Sequence, residues 1–158
     1  MSAIDSSDAA ALDGLDREVT LDIGGQVDYR FGPGTTVFLR AVTEVTGEHD
    51  GSEATLGVRQ PLPLGNVPVF LGAGVTWQSG ELSQYAYGVL PTDTGFAAYA
   101  PGDVTIPYLN IGTSIPLSDN LSLVGNLRAE FLPDAIRDSP IVDEDIAVGA
   151  IVGLSFRF

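Results

Sequence analysis

Residues 146–158 read IAVGAIVGLSFRF, and this stretch decides how the rest of the chain is read. Ile146, Val148, Ala150, Val152, Leu154, Phe156 and Phe158 alternate with Ala147, Gly149, Ile151, Gly153, Ser155 and Arg157. That is the period of a β-strand with one strongly apolar face. The opposite face is mostly glycine, alanine, serine and arginine, and the stretch ends on an aromatic residue. A soluble sandwich could also contain such a strand, so the segments upstream have to decide what the apolar face meets.

Working outward, the same alternation recurs. From Glu18 to Phe31, Val19, Leu21, Ile23, Gly25, Val27, Tyr29 and Phe31 oppose Thr20, Asp22, Gly24, Gln26, Asp28 and Arg30. After the tight turn GPGT at 32–35, Val37, Leu39, Ala41, Thr43 and Val45 oppose Phe38, Arg40, Val42 and Glu44. A polar loop at 47–52 leads to Ala54, Leu56 and Val58, set against Glu53, Thr55, Gly57 and Arg59; QPLPLGN at 60–66 then reads as a further turn. Val67 to Gln78, Val104 to Ile115 and Leu121 to Phe131 complete a meander of seven strands with the closing stretch. Short turns at 32–35, 61–66 and 116–120 alternate with longer segments at 1–17, 47–52, 79–103 and 132–145. Short turns on one rim and long loops on the other are the pattern of a transmembrane β-barrel.

Charge placement agrees. The polar face carries Asp22, Asp28, Arg30, Arg40, Glu44, Glu53, Arg59, Arg128, Glu130 and Arg157, five acids and five bases, so the inner face is expected to be wet or salt-bridged. A lipid-facing charge at the bilayer midplane costs about 2–4 kcal/mol, so the clearing of charge from the apolar face is itself informative. A lipocalin-like barrel would put its apolar residues inward instead, and alternation alone does not say which face is which. The loop asymmetry and the chain's aromatic end favour the membrane.

The whole chain has 158 residues, 19 Gly, 10 Pro and a net charge of −14, with no apolar run long enough for a membrane helix. Any membrane contact is therefore through strands. Cysteine is absent, which removes disulfide and thiolate chemistry. Residues 1–17, MSAIDSSDAAALDGLDR, read as an acidic polar loop or tail and lack the basic and apolar regions of a signal peptide. Seven strands would leave the two ends on opposite rims, whereas bacterial single-chain barrels have even strand numbers. The expectation is that further strands precede Met1, with closure by oligomerisation as the alternative.

Gly153, Phe156 and Phe158 fill the pattern of an outer-membrane assembly signal, in which a glycine, an apolar or aromatic residue and a terminal Phe are spaced along the closing strand. More specific are AALDGL at 10–15, YRFGP at 29–33, YAYGV at 85–89, FAAYAPG at 96–102, PLSDNLSL at 116–123, DSPIV at 138–142 and GLSFRF at 153–158. With these pieces nearly the whole chain resembles the C-terminal part of the MltA-interacting protein (MipA/OmpV) family of Gram-negative outer-membrane barrels. Phe156 stands where the family usually has Tyr. The resemblance implies an all-β, antiparallel up-and-down meander forming part of an outer-membrane barrel, with residues 1–17 as loop and 18–158 as barrel. It implies a non-catalytic scaffold or anchor for murein-synthesising machinery, or else a small-solute channel or an adhesin. The partners it implies are outer-membrane lipid and lipopolysaccharide, the barrel assembly machinery, a lytic transglycosylase and a murein synthase, with no nucleic acid.

Other chemistry finds little support. His49 is the only histidine, and Glu48 and Asp50 beside it make too small a ligand set for a metal. Asp143, Glu144 and Asp145 lack calcium-loop spacing and read as a solvated run. Serines have no histidine partner on a structured face, so neither catalysis nor a cofactor is expected. Trp77 at one rim, and Tyr29 and Phe31 at the other, read as interfacial girdle residues. Tyr85, Tyr87, Phe96 and Tyr99 are too many aromatics for a hydrated loop, so 79–103 is expected to fold over or into the barrel mouth or to meet a partner.

Overall fold

The structure, a computed structural model, describes residues 20–32, 34–65, 67–91 and 95–157. The polar segment expected at 1–17, the strand start expected at Glu18 and the terminal Phe158 lie outside the described residues. Seven strands form one antiparallel sheet in sequence order: β1 Asp22–Phe31, β2 Thr35–Glu44, β3 Ser52–Leu64, β4 Val67–Gln78, β5 Val104–Pro116, β6 Leu121–Phe131 and β7 Ile146–Phe156. Two short helices, α1 Gly80–Tyr87 and α2 Asp134–Arg137, sit in the long connections. Strands of 10 to 13 residues have the length a tilted strand needs to cross a bilayer. Among the described residues no helix is long and apolar enough to do so.

The structure distinguishes the two faces. Leu21, Val27, Leu39, Leu56, Leu109, Leu127, Val148, Val152 and Leu154, all from the apolar alternation, are exposed. Thr55, Thr76, Ile106 and Tyr108, from the opposite alternation, are buried. A soluble barrel would reverse this. The apolar face is the exposed one, as an oil-facing surface must be. β1 and β7 are the outer strands of the sheet, and almost every residue of both is exposed on either face.

Two expectations about connections are corrected. The turn assigned to 60–66 is strand for most of its length: β3 continues to Leu64, followed by Gly65 at φ 61°. Pro61 and Pro63 read as turn residues, yet β3 pairs with β2 only as far as Arg59 while still pairing with β4 at Leu64. Beyond Arg59 that edge of β3 has no paired strand among the described residues, and a residue without an N–H is tolerated there. The connection 79–103 contains a capped helix rather than loop alone. Ser79 is its N-cap, its hydroxyl 3.5 Å from the Leu82 N–H, and Glu81 lies in the first turn, where helix-dipole charge favours an acid.

Candidate functional site

Cross-strand registry sorts the inner face into rows. One row runs Arg30, Thr36, Arg59, Gly72, Asn110, Arg128, Gly149 from β1 to β7. The next row toward the long loops is Asp28, Phe38, Gly57, Gly74, Tyr108, Glu130, Ala147. Directly opposed residues are the contacting units of a sheet, so these rows decide which side chains can meet. Three of the lumen arginines thus share one row, although they lie up to 98 residues apart in sequence, from Arg30 to Arg128.

Glycines make the floor on which the large inner side chains lie flat. A Cβ on Gly57 or Gly74 would collide with the Tyr108 hydroxyl, and one on Gly57 also with the Phe38 ring. A Cβ on Gly72 would strike Asn110, and one on Gly112 would strike the ring of Phe70. The arginines pack on this layer. The Arg59 guanidinium carbon lies 5.5 Å from the centre of the Phe38 ring and 5.3 Å from that of Phe70, rings supplied by the strands on either side of β3. Arg128 sits 3.8 Å from the Tyr108 ring centre, donates to Thr76 Oγ1 at 3.0 Å and meets Glu130 Oε1 at 2.8 Å.

Among the described residues, most of the ten charges expected on the lumen face do not touch one another. Among the described residues only Arg128–Glu130, of those ten, lies within ion-pair distance. The charges separate by row instead: Asp22, Glu44 and Glu53 lie toward the long-loop rim, and Arg30, Arg59 and Arg128 share the arginine row. Asp22, Arg40 and Glu53 border a common recess of about 240 Å³ with His49 and Gln78, whose amide donates to Glu53 at 3.3 Å. Arg157 stands beyond the end of β7, its N–H bonded to the Asn120 carbonyl at 2.8 Å. Alternation identified the face, but it carries no register, and register decides the pairs.

Glu44 serves its own hairpin. Its carboxylate, only 6% exposed, accepts from the N–H groups of Gly47 at 3.0 Å, Asp50 at 3.1 Å and His49 at 3.4 Å, and from the N–H and hydroxyl of Thr46. The loop needs this anchor because Gly47 at φ 84° and Asp50 at φ 52° turn it through the left-handed region. Changing Glu44 to Gln directs an NH2 group at a cluster of donors. The amides of Gly47 and Asp50 are then expected to exchange hydrogen markedly faster in deuterium-exchange mass spectrometry; unchanged rates would refute this anchoring role.

The long connections pack on one another over the inner ends of β5 and β6. Val104, Ile106, Leu132 and Ile136 form a buried cluster, with Tyr87, Ala135, Val142 and Ala147 against it. The Ser139 hydroxyl donates to the Tyr87 carbonyl at 2.5 Å, the Tyr99 hydroxyl to the Ala135 carbonyl at 3.0 Å, and the Gln84 amide to the Tyr99 carbonyl at 3.1 Å. Tyr85 stacks obliquely on His49, with ring centres 4.7 Å apart, and Phe96 is half-buried. Burial, reinforced by the Glu130 and Glu53 carboxylates, raises the pKa of the Tyr87 phenol. Arg137 bonds Asp145 at 2.8 Å and also Asp134, partners that raise its pKa. These aromatics thus belong to a cap whose parts are distant in sequence. Among the described residues no group of His, Asp and Glu is arranged to hold a metal.

The outward apolar face, the polar inner rows and the capped rim set the context for comparison with known proteins. The sequence matches the family described as MltA-interacting protein MipA over residues 2–158. The chain belongs to that family. It is 32% identical over 97 residues to the MltA-interacting protein of Escherichia coli (strain K12), covering 60% of this chain and 39% of that protein. It is 25% identical over 155 residues to an E. coli (strain K12) protein named for the outer membrane, YiaT, covering 96% of this chain and 63% of YiaT. To the outer membrane protein OmpV of Vibrio cholerae serotype O1 it is 28% identical over 164 residues, covering 98% of this chain and 62% of OmpV. The chain therefore spans less than two thirds of the length of these relatives. No solved structure matches it. These relatives are named as outer-membrane or interacting proteins, not as enzymes, and YiaT and OmpV are named for the outer membrane of Gram-negative bacteria.

Proposed function

We propose that this MipA-family chain is part of a non-catalytic outer-membrane scaffold that holds murein-synthesising machinery at the barrel's periplasmic rim. The observation that carries the reading is an apolar recess of about 460 Å³ at the short-turn rim, lined by Pro61, Leu62, Val67, Pro68, Val69 and Pro116. Short turns face the periplasm in barrels of this kind, which is where murein enzymes work. Rigid proline-rich walls around an apolar hollow give a protein partner a surface it can desolvate with little loss of conformational entropy. The opposite rim is occupied by the barrel's own loop cap. A relative's name, MltA-interacting protein, suggests a lytic transglycosylase as the occupant, and a murein synthase would follow as a second component.

The test is capture of a purified lytic transglycosylase by the protein extracted from its membrane in detergent, repeated with Pro61 and Pro116 changed to Ser. Wild-type protein is expected to retain the enzyme and the double variant to lose most of it. Unchanged retention in the variant would contradict the docking rim. No retention by the wild type, together with large steady currents in planar bilayers, would replace the scaffold with a small-solute channel.

A further inference from the structure

The arginine row borders a cavity that the scaffold reading does not use. It measures about 180 Å³ and is lined chiefly by Phe38, Arg59, Tyr108, Asn110, Asn126 and Arg128. The chain has 21 acidic residues against 7 basic ones, yet no Asp or Glu lines this cavity. Two guanidiniums in an acid-free hollow of so acidic a protein are the reverse of what composition alone would place there. Register explains the space between them: Gly72 separates Arg59 from Asn110 along the row, and Asn110 is opposite Arg128.

The two arginines are not equivalent. Arg128 is neutralised by Glu130 and held by Thr76, and its Nε–H is buried with no partner among the described residues. Arg59 makes no ion pair or hydrogen bond through its guanidinium among the described residues; two aromatic rings hold it instead. Cation–π contact stabilises a guanidinium without using its N–H donors, and those donors fit an oxyanion through paired hydrogen bonds. The carboxamides of Asn110 and Asn126 add neutral donors and acceptors suited to the hydroxyl groups of a hydrophilic molecule.

We propose that this lumen cavity binds a small oxyanion, the carboxylate or phosphate group of a hydrophilic solute, with Arg59 as its charge partner and Asn110 and Asn126 reading adjacent polar groups. Phe38 and Phe70 position Arg59, and Arg128, already paired with Glu130, forms the far wall. This site faces the lumen and is separate from the proline-lined rim, so it stands or falls independently of partner docking.

The experiment is equilibrium dialysis of the detergent-extracted protein against labelled gluconate and against inorganic phosphate, with glucose as the uncharged control. Saturable retention of both anions and none of glucose is expected. Arg59→Gln is expected to weaken retention about tenfold or more, the scale of one charge-assisted hydrogen-bond pair. Asn126→Asp keeps both arginines and supplies an internal carboxylate, and it is expected to abolish retention. Resistance to unfolding by sodium dodecyl sulfate before heating confirms that each variant is folded. Absence of saturable retention, equal retention of glucose, or unchanged retention in folded Arg59→Gln would overturn the proposal. Loss in Arg59→Gln with full retention in Asn126→Asp would place the anion outside this cavity and overturn it too.

Discussion

Changing Leu109 to Arg is expected to cost about 2–4 kcal/mol of folding free energy and to leave most of the protein outside the membrane. Leu109 lies midway along β5, between Ala73 of β4 and Ala129 of β6, and is 53% exposed on the apolar face. Leu71, Ile111 and Leu127 surround it on that face, so the guanidinium would have no polar neighbour near the bilayer midplane. The cost comes from removing a charge from water, and the central position prevents the side chain from reaching the headgroups by extending along the strand. Ser114→Arg is the matched control, because Ser114 lies on the same strand on the inner face near the short-turn rim. It is expected to be close to neutral. A urea titration in detergent, read by the shift in gel mobility on heating, compares the two; equal midpoints for Leu109→Arg and wild type would refute the outward apolar face.

Sequence made this face legible because a period of two survives any uncertainty in strand ends. Val148, Val152 and Leu154 fall on one side wherever β7 is taken to begin. Loop lengths were legible for a similar reason, since glycine and proline mark reversals. Proline also misled: Pro61 and Pro63 lie on a strand edge past its pairing with β2, which depends on β2 beginning at Thr35, a fact about pairing that composition does not contain. The lumen charges show the limit most clearly. Arg128 and Glu130 are two apart on one strand, so their meeting is local and within reach of sequence. That Arg30, Arg59 and Arg128 share a row depends on every hairpin between β1 and β6, because one residue of slip in any turn would put an arginine on the wrong face. Glu44 looked like one more lumen acid, and only the loop geometry shows its carboxylate occupied by backbone N–H groups.

The cap was the least legible part, and Ile136 tests it. In DAIRDSPIV, residues 134–142, three charges and a proline suggest a solvated loop, and a four-residue helix is too short to show a period. Yet Ile136 is fully buried, packed with Val104 and Ile106 from the inner end of β5 and with Leu132 after β6. Ile136→Ala is expected to cost the cap about 2–5 kcal/mol, the range for deleting a large side chain from a packed core. That much exceeds what the surface pairs of Arg137 with Asp134 and Asp145 can return, since exposed ion pairs contribute at most about 1 kcal/mol each. The strands should persist, because their hydrogen-bond ladders do not pass through the cap. Arg137 itself supplies the readout: trypsin cuts after arginine, and in the wild type that bond is held within α2 and its C-terminal turn, with the Asp138 N–H bonded to the Asp134 carbonyl at 2.8 Å. Trypsin is expected to cleave after Arg137 at least about tenfold faster in Ile136→Ala, while the folded barrel still resists sodium dodecyl sulfate. An unchanged cleavage rate would show that the hydrogen bonds of Tyr99 and Ser139, and not the apolar cluster, hold the long connections together.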